Sequence, residues 1–142
     1  MSPGAQSCCS GTPPRRSVSE LVERGLRRNR AAPLPIEGAR CADAEGLSVS
    51  FSLDVRTGLV AGIGFDASAC ATLLAYCELV AETMLGAPPA AARQLAPADL
   101  AARLPGVPRL KQSRAFLAVA AFRAALAEIA PVTNTLSEEA QQ

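Results

Sequence analysis

The sequence predicts an α+β domain, a small antiparallel sheet of about three strands with helices packed on one face. Three observations carry this. Residues 47–65 keep a period-2 apolar pattern interrupted once by a short turn containing Gly58. From Cys70 onward the apolar residues recur at 3- and 4-residue steps instead. The length, 142 residues, suits a single domain that buries a core without disulfides.

Residues 1–16 are rich in Ser, Pro and Gly and are expected to form a disordered tail, in which Cys8-Cys9 is an incidental pair. The folded domain is expected over 17–131, with a polar tail over 132–142. Ser17-Val18-Ser19-Glu20 fits a capping box before a short helix with Leu21, Val22 and Leu26 on one side. Arg27 to Gly38 contains Pro33 and Pro35 and reads as an extended connection. A third strand is expected around Ala39 to Asp43.

Leu47 to Val55 alternates strictly, apolar at odd positions, as a half-buried strand does. Arg56-Thr57-Gly58 is the turn, and Leu59 to Phe65 returns with Leu59, Ala61, Ile63 and Phe65 expected on one face. Cys70 to Leu85 reads as a helix with a stripe of Leu73, Leu74, Cys77, Val80, Ala81 and Met84, ended by Gly86 and Pro88-Pro89. Residues 87–96 are an Ala/Pro linker, and Pro97 to Leu104 a short helix with proline in its first turn. Ala115 to Ile129 is a longer helix with Phe116, Val119, Phe122, Leu126 and Ile129 as its stripe.

Composition narrows the chemistry. There is no histidine, which removes the commonest general base, any histidine-containing triad or dyad, and any imidazole ligand. A metal must be held by thiolate and carboxylate. Net charge is +1, although six arginines crowd residues 15–30, so no global field draws nucleic acid or an acidic membrane. No apolar run is long enough for a membrane span. Five cysteines, an odd number, with no signal-like N-terminus predict free or metal-binding thiols in a reducing, cytoplasmic setting.

Two thiols and one carboxylate stand out. Cys41 and Asp43 lie just before the hairpin and, on an extended chain, point to one side. Cys70 lies just after it, at a helix start, where the positive end of the helix dipole favours thiolate. A hairpin brings its flanks together, so the three can meet at one end of the sheet. On spacing alone, two buried apolar cysteines and a surface aspartate are the simpler account. Cys77 is set apart: seven residues of helix carry it about 10 Å from Cys70, whereas two sulfurs on one zinc are at most roughly 4.6 Å apart. It belongs to the core.

Several blocks resemble the IscU-type scaffolds of iron–sulfur cluster assembly, the NifU N-terminal domain family. Asn29-Arg30 stands where that family has an Asn-Pro-Arg-like segment, and Cys41-Ala42-Asp43 where it has Cys-Gly-Asp. The run Phe65 to Cys70, continuing to Glu78-Leu79-Val80-Ala81-Glu82, is similar to the family's step from a hairpin phenylalanine to its second cysteine and on to Leu-Val-x-Glu. Asp99-Leu100-Ala101, Leu104-Pro105-Gly106-Val107-Pro108-Arg109 and Lys111-Gln112-Ser113 resemble its later motifs, and Phe122 to Leu126 the end of its last helix. The resemblance covers roughly residues 18–130.

It implies a metal site of Cys41, Asp43 and Cys70 that takes iron or an iron–sulfur cluster, with zinc as a further candidate. It also implies a non-enzymatic role alongside a cysteine desulfurase and cluster-acceptor or chaperone proteins, the last meeting Leu104, Pro105, Val107 and Arg109. The departures are specific. The third ligand cysteine is absent; Gln112 or, with the gap placed differently, Arg114 takes its position. Lys111 replaces the adjacent histidine, Ala42 and Ala69 replace glycines, and Gly106 and Pro108 interrupt the chaperone motif. The alternatives are a degenerate adaptor or regulator that carries no cluster, and a sulfur-transfer protein using Cys70 as nucleophile.

Overall fold

The structure is a computed structural model that describes residues 15–29 and 31–129. The expected tails lie outside these residues except at Arg15 and Arg16. Arg16 is tied to the domain, its backbone N–H donating to the Arg103 carbonyl and its guanidinium pairing with Glu82.

Helix α1 spans Val18–Asn29. Ser17 caps it as expected, its Oγ accepting the Glu20 N–H at 3.4 Å. The Glu20 carboxylate leaves the capping box and pairs with Arg16 and Arg24. The helix runs three residues, Arg27 to Asn29, into the stretch expected to be extended. Its inner face is Leu21 and Gly25, whereas Leu26, expected inside, is 40% exposed. The reason is closeness: a Cβ on Gly25 would stand 3.0 Å from the Leu74 carbonyl oxygen, so the helices touch where the side chain is smallest.

The expected third strand is two short ones, β1 (Ile36–Glu37) and β2 (Cys41–Ala42), both antiparallel to the same edge of β3 (Ser48–Arg56). Gly38 sits at the break. Its N–H donates to the Phe51 carbonyl, and a Cβ there would fall 2.5 Å from the Cα of Ala125. Strand β4 (Leu59–Ala67) completes the sheet through a two-residue turn, with Thr57 at φ 53° and Gly58 at φ 79°. The register slips between Asp54 and Val55, leaving Ala61 as an extra residue. That bulge reverses the facing beyond it: Val60 is buried while Leu59 and Ala61, expected inside, are exposed.

Helix α2 (Ala71–Met84) runs through the middle and is buried on nearly every side, including the whole expected stripe. A 3-10 turn (Pro89–Gln94) occupies the expected linker, followed by α3 (Pro97–Arg103), a second 3-10 turn (Arg109–Lys111) and α4 (Arg114–Ala127). Phe51, Phe65 and Phe122 join sheet to α4, with the Phe51 and Phe122 rings edge to face at 5.4 Å. Phe116, expected on the buried stripe, is 64% exposed; the inner arc of α4 is made of Ala115, Leu117, Ala118, Val119, Ala121, Phe122 and Ala125. On the outer face of the sheet, Ser50, Ser52 and Asp66 line a groove of about 380 Å³. The Leu34 N–H crosses that face to donate to Ser52 Oγ. No helix of the described residues is long and apolar enough to cross a membrane.

Candidate functional site

Cys41 and Cys70 are set at one end of the sheet by strand register. Cys41 lies opposite Val49, and Val49 opposite Ala67, so these three side chains share the helix-covered face. Three residues beyond Ala67 the chain reaches Cys70, which holds extended backbone angles at the N-cap of α2. Ser68 fastens that crossing. Its N–H donates to the Ser48 carbonyl at 2.9 Å, and its Oγ accepts the Ser48 N–H at 2.9 Å. Both thiols are half-buried against the margin of the core and free.

Asp43 opens the turn from β2 to β3. Its Oδ1 accepts the N–H groups of Glu45 at 2.9 Å and Leu47 at 3.0 Å, which leaves Oδ2 outward of the turn's own hydrogen bonds. The expected trio thus shares the end of the sheet. Among the described residues, however, no three Cys, Asp or Glu side chains form a group that could hold a metal ion as they stand.

The two candidates for the third-cysteine position differ. Gln112 is half-buried, following the 3-10 turn. Arg114 is the first residue of α4 and is buried, 9% exposed. Its Nη2 reaches Glu45, in the turn just after Cys41 and Asp43, at 2.6 Å. Helix α4 packs on β2 itself. Sequence reasoning held Arg114 only as an alignment alternative; its burial and charge at this place had no signal in the spacing.

The expected partner-binding set divides. Leu104 is 0% and Val107 5% exposed, so both serve the core; Pro105 and Arg109 are on the surface. The family's motif placed all four together, but the turn after α3 folds its apolar members inward. Leu110, 90% exposed, is the large apolar residue that this segment does present.

Cys77 is fully buried, as expected. Burial, and then the charges of Glu78 and Cys70, push its thiol far above the ordinary cysteine range, so it stays protonated. Cys77→Ser should lower unfolding free energy by about 1–3 kcal/mol, the cost of burying a hydroxyl without a partner, and leave iron or zinc affinity within twofold. Urea unfolding and a chelator competition check the two halves.

The comparisons with known proteins bear on the family and the fold. The sequence profile of the NifU-like N-terminal domain matches residues 24–134. The chain therefore belongs to the NifU-like N-terminal domain family, whose role is of the scaffold type in iron–sulfur cluster assembly. No curated protein sequence matches it. Among solved structures, one crystal structure of a hypothetical protein at 2.3 Å resolution is similar with a TM-score of 0.51 and 16% identity, over 76% of this chain and 98% of that one. It shares the fold. Another is the N-terminal part of a nitrogen-fixing NifU-like protein from Brucella abortus, 20% identical over 78% of this chain and 86% of that one, with a TM-score of 0.41.

Proposed function

We propose that this chain is an assembly scaffold or carrier that holds iron or a labile iron–sulfur cluster, without itself being an enzyme. The observation that carries the reading is the placement of two half-buried free thiols, Cys41 and Cys70, on either flank of the β3–β4 hairpin at one end of the sheet. Asp43 Oδ2 is the third donor. Two thiolates and one carboxylate make an incomplete set for a thiophilic metal, which suits cargo that must leave again. Remaining ligands come from outside the chain, from a sulfur-donating desulfurase or a cluster acceptor. A reducing, cytoplasmic setting follows from the need for free thiols.

A second reading, an adaptor that keeps the fold but carries no cluster, is favoured by one observation: a buried arginine stands beside the site where a ligand would serve a metal better. Anaerobic reconstitution with iron and sulfide, read by absorption spectroscopy, separates the two. Charge-transfer bands between thiolate or sulfide and iron should appear in the wild type and be lost in Cys41→Ser and Cys70→Ser, with Cys77→Ser retaining them. A wild-type spectrum without such bands, together with no iron binding by competition, would leave the adaptor reading standing. A parallel zinc titration shows whether the same thiols take zinc.

A further inference from the structure

The face of the sheet away from the helices carries a roofed groove. Its floor is built from two cross-strand rows. Glu37, Ser52 and Gly64 stand opposite one another across β1, β3 and β4, and Ser50 stands opposite Asp66 in the next row. The chain between α1 and β1 forms the roof. Leu34 is pinned over the sheet by its N–H on Ser52 Oγ at 3.0 Å, and a Cβ on Gly62 would come within 3.2 Å of its side chain. Gly64 keeps the floor open, because a Cβ there would crowd Ser52 Oγ at 3.1 Å. The groove holds about 380 Å³, a size that takes a small molecule.

Its lining calls for a cation that also carries hydroxyls. Arg40 is already engaged, with Asp66 and with Ser48 Oγ. Glu37 has no ion pair among the described residues. Two carboxylates against one guanidinium leave the groove one negative charge in excess. Ser52 adds a second demand. It is 6% exposed, and its oxygen accepts from Leu34 while its own proton has no acceptor among the described residues. A buried hydroxyl in that state is costly, which favours a ligand oxygen placed against it. A plain alkylamine would answer Glu37 and leave Ser52 unmet. An anion would answer Ser52 and be repelled by Glu37. Directly opposite residues on one face hold their Cβ atoms about 4.5–5.5 Å apart, so the ligand's nitrogen and oxygen belong on adjacent carbons. We propose that this groove binds a small vicinal amino alcohol, an amino polyol or an amino sugar. Its ammonium sits on Glu37, its adjacent hydroxyl on Ser52, and a further hydroxyl between Ser50 and Asp66.

A heteronuclear NMR titration of the full chain, reduced and free of metal, tests this with a matched set of probes. Serinol carries the ammonium and two hydroxyls. Glycerol lacks the cation, isopropylamine lacks the hydroxyls, and free serine adds a carboxylate. Glucosamine is the amino-sugar arm. Serinol or glucosamine should give saturable shifts that include the Leu34 amide, whose N–H sits on Ser52 Oγ, and the tighter of the two identifies the source. The three control probes should each bind at least fivefold more weakly. Glu37→Gln should weaken serinol or glucosamine binding at least fivefold; the residue is exposed on a short edge strand, so its variant keeps the fold. Glu23→Gln removes an exposed carboxylate from α1 instead and should leave binding unchanged. The proposal is overturned by an absence of saturable shifts with both ligands, or by any control probe that binds as tightly as serinol and glucosamine. It is equally overturned if Glu37→Gln binds like the wild type, or if Glu23→Gln weakens binding as much as Glu37→Gln does.

Discussion

Arg28→Ala should cost about 3–5 kcal/mol of unfolding free energy, the range for removing one partner of a buried ion pair. Glu78 lies inside α2 with its side chain 3% exposed, and the Arg28 guanidinium grips it through Nε at 2.7 Å and Nη2 at 3.2 Å. Nη1 of the same arginine donates to the Ile63 carbonyl at 2.8 Å, so one side chain ties α1 to α2 and to β4. Truncation leaves a carboxylate in the core with nothing to balance it. The arginine itself is 23% exposed, which places the loss toward the lower end of the range. The double variant Arg28→Met, Glu78→Leu should recover most of it, since an apolar pair of similar volume removes the stranded charge. Chemical denaturation of the three proteins checks this; a double variant no more stable than the single one would sink the account.

Arg114→Cys should tighten iron or zinc binding at least tenfold, about 1.4 kcal/mol, under reducing conditions. It adds a thiolate where α4 packs against β2 and removes a positive charge beside the metal at the same time. Gln112→Cys is the comparison, since that residue sits two positions earlier, ahead of α4 and only half-buried. Competition with a chromogenic chelator measures both. Adding Cys70→Ser should cancel the gain if the two sulfurs share a metal. Equal affinities for Arg114→Cys and wild type would mean that the start of α4 does not face the Cys41–Cys70 site.

What could be read in the sequence was the part written in large side chains on regular backbone. The alternation of Val49, Phe51 and Leu53 gave β3 its inner face, and the stripe from Leu73 to Met84 gave α2. The places misread share a cause. In β4 a single extra residue, Ala61, exchanged the two faces at one end, and period-2 counting cannot see a bulge. In α1 and α4 the contacts run through Gly25 and a set of alanines, so Leu26 and Phe116 pointed to faces that are solvent-exposed. A chain with 4% aromatics builds its close helix contacts from its smallest residues, and those leave no hydropathy stripe. That Cys41, Asp43 and Cys70 fall at the same end of the sheet was legible from their positions beside the hairpin, whereas burial of Arg114 and Glu78 was not. A charged residue enters the interior only with its partner, and Arg28 with Glu78, or Arg114 with Glu45, are joined by the tertiary fold alone.

The outer edge of β4 is occupied at three places. Val60 exchanges hydrogen bonds with the 86–87 backbone, Arg28 caps the Ile63 carbonyl, and the Asn29 amide takes both the N–H and the carbonyl of Ala67. Asn29 acts there as a one-residue mimic of a neighbouring strand. A scaffold has to meet several partners in turn, and an open strand edge is the least discriminating surface a protein can offer, because any extended chain can pair with it. With that edge occupied at Val60, Ile63 and Ala67, strand addition along β4 is opposed. Its encounters are left to surfaces whose shape and charge can tell one partner from another.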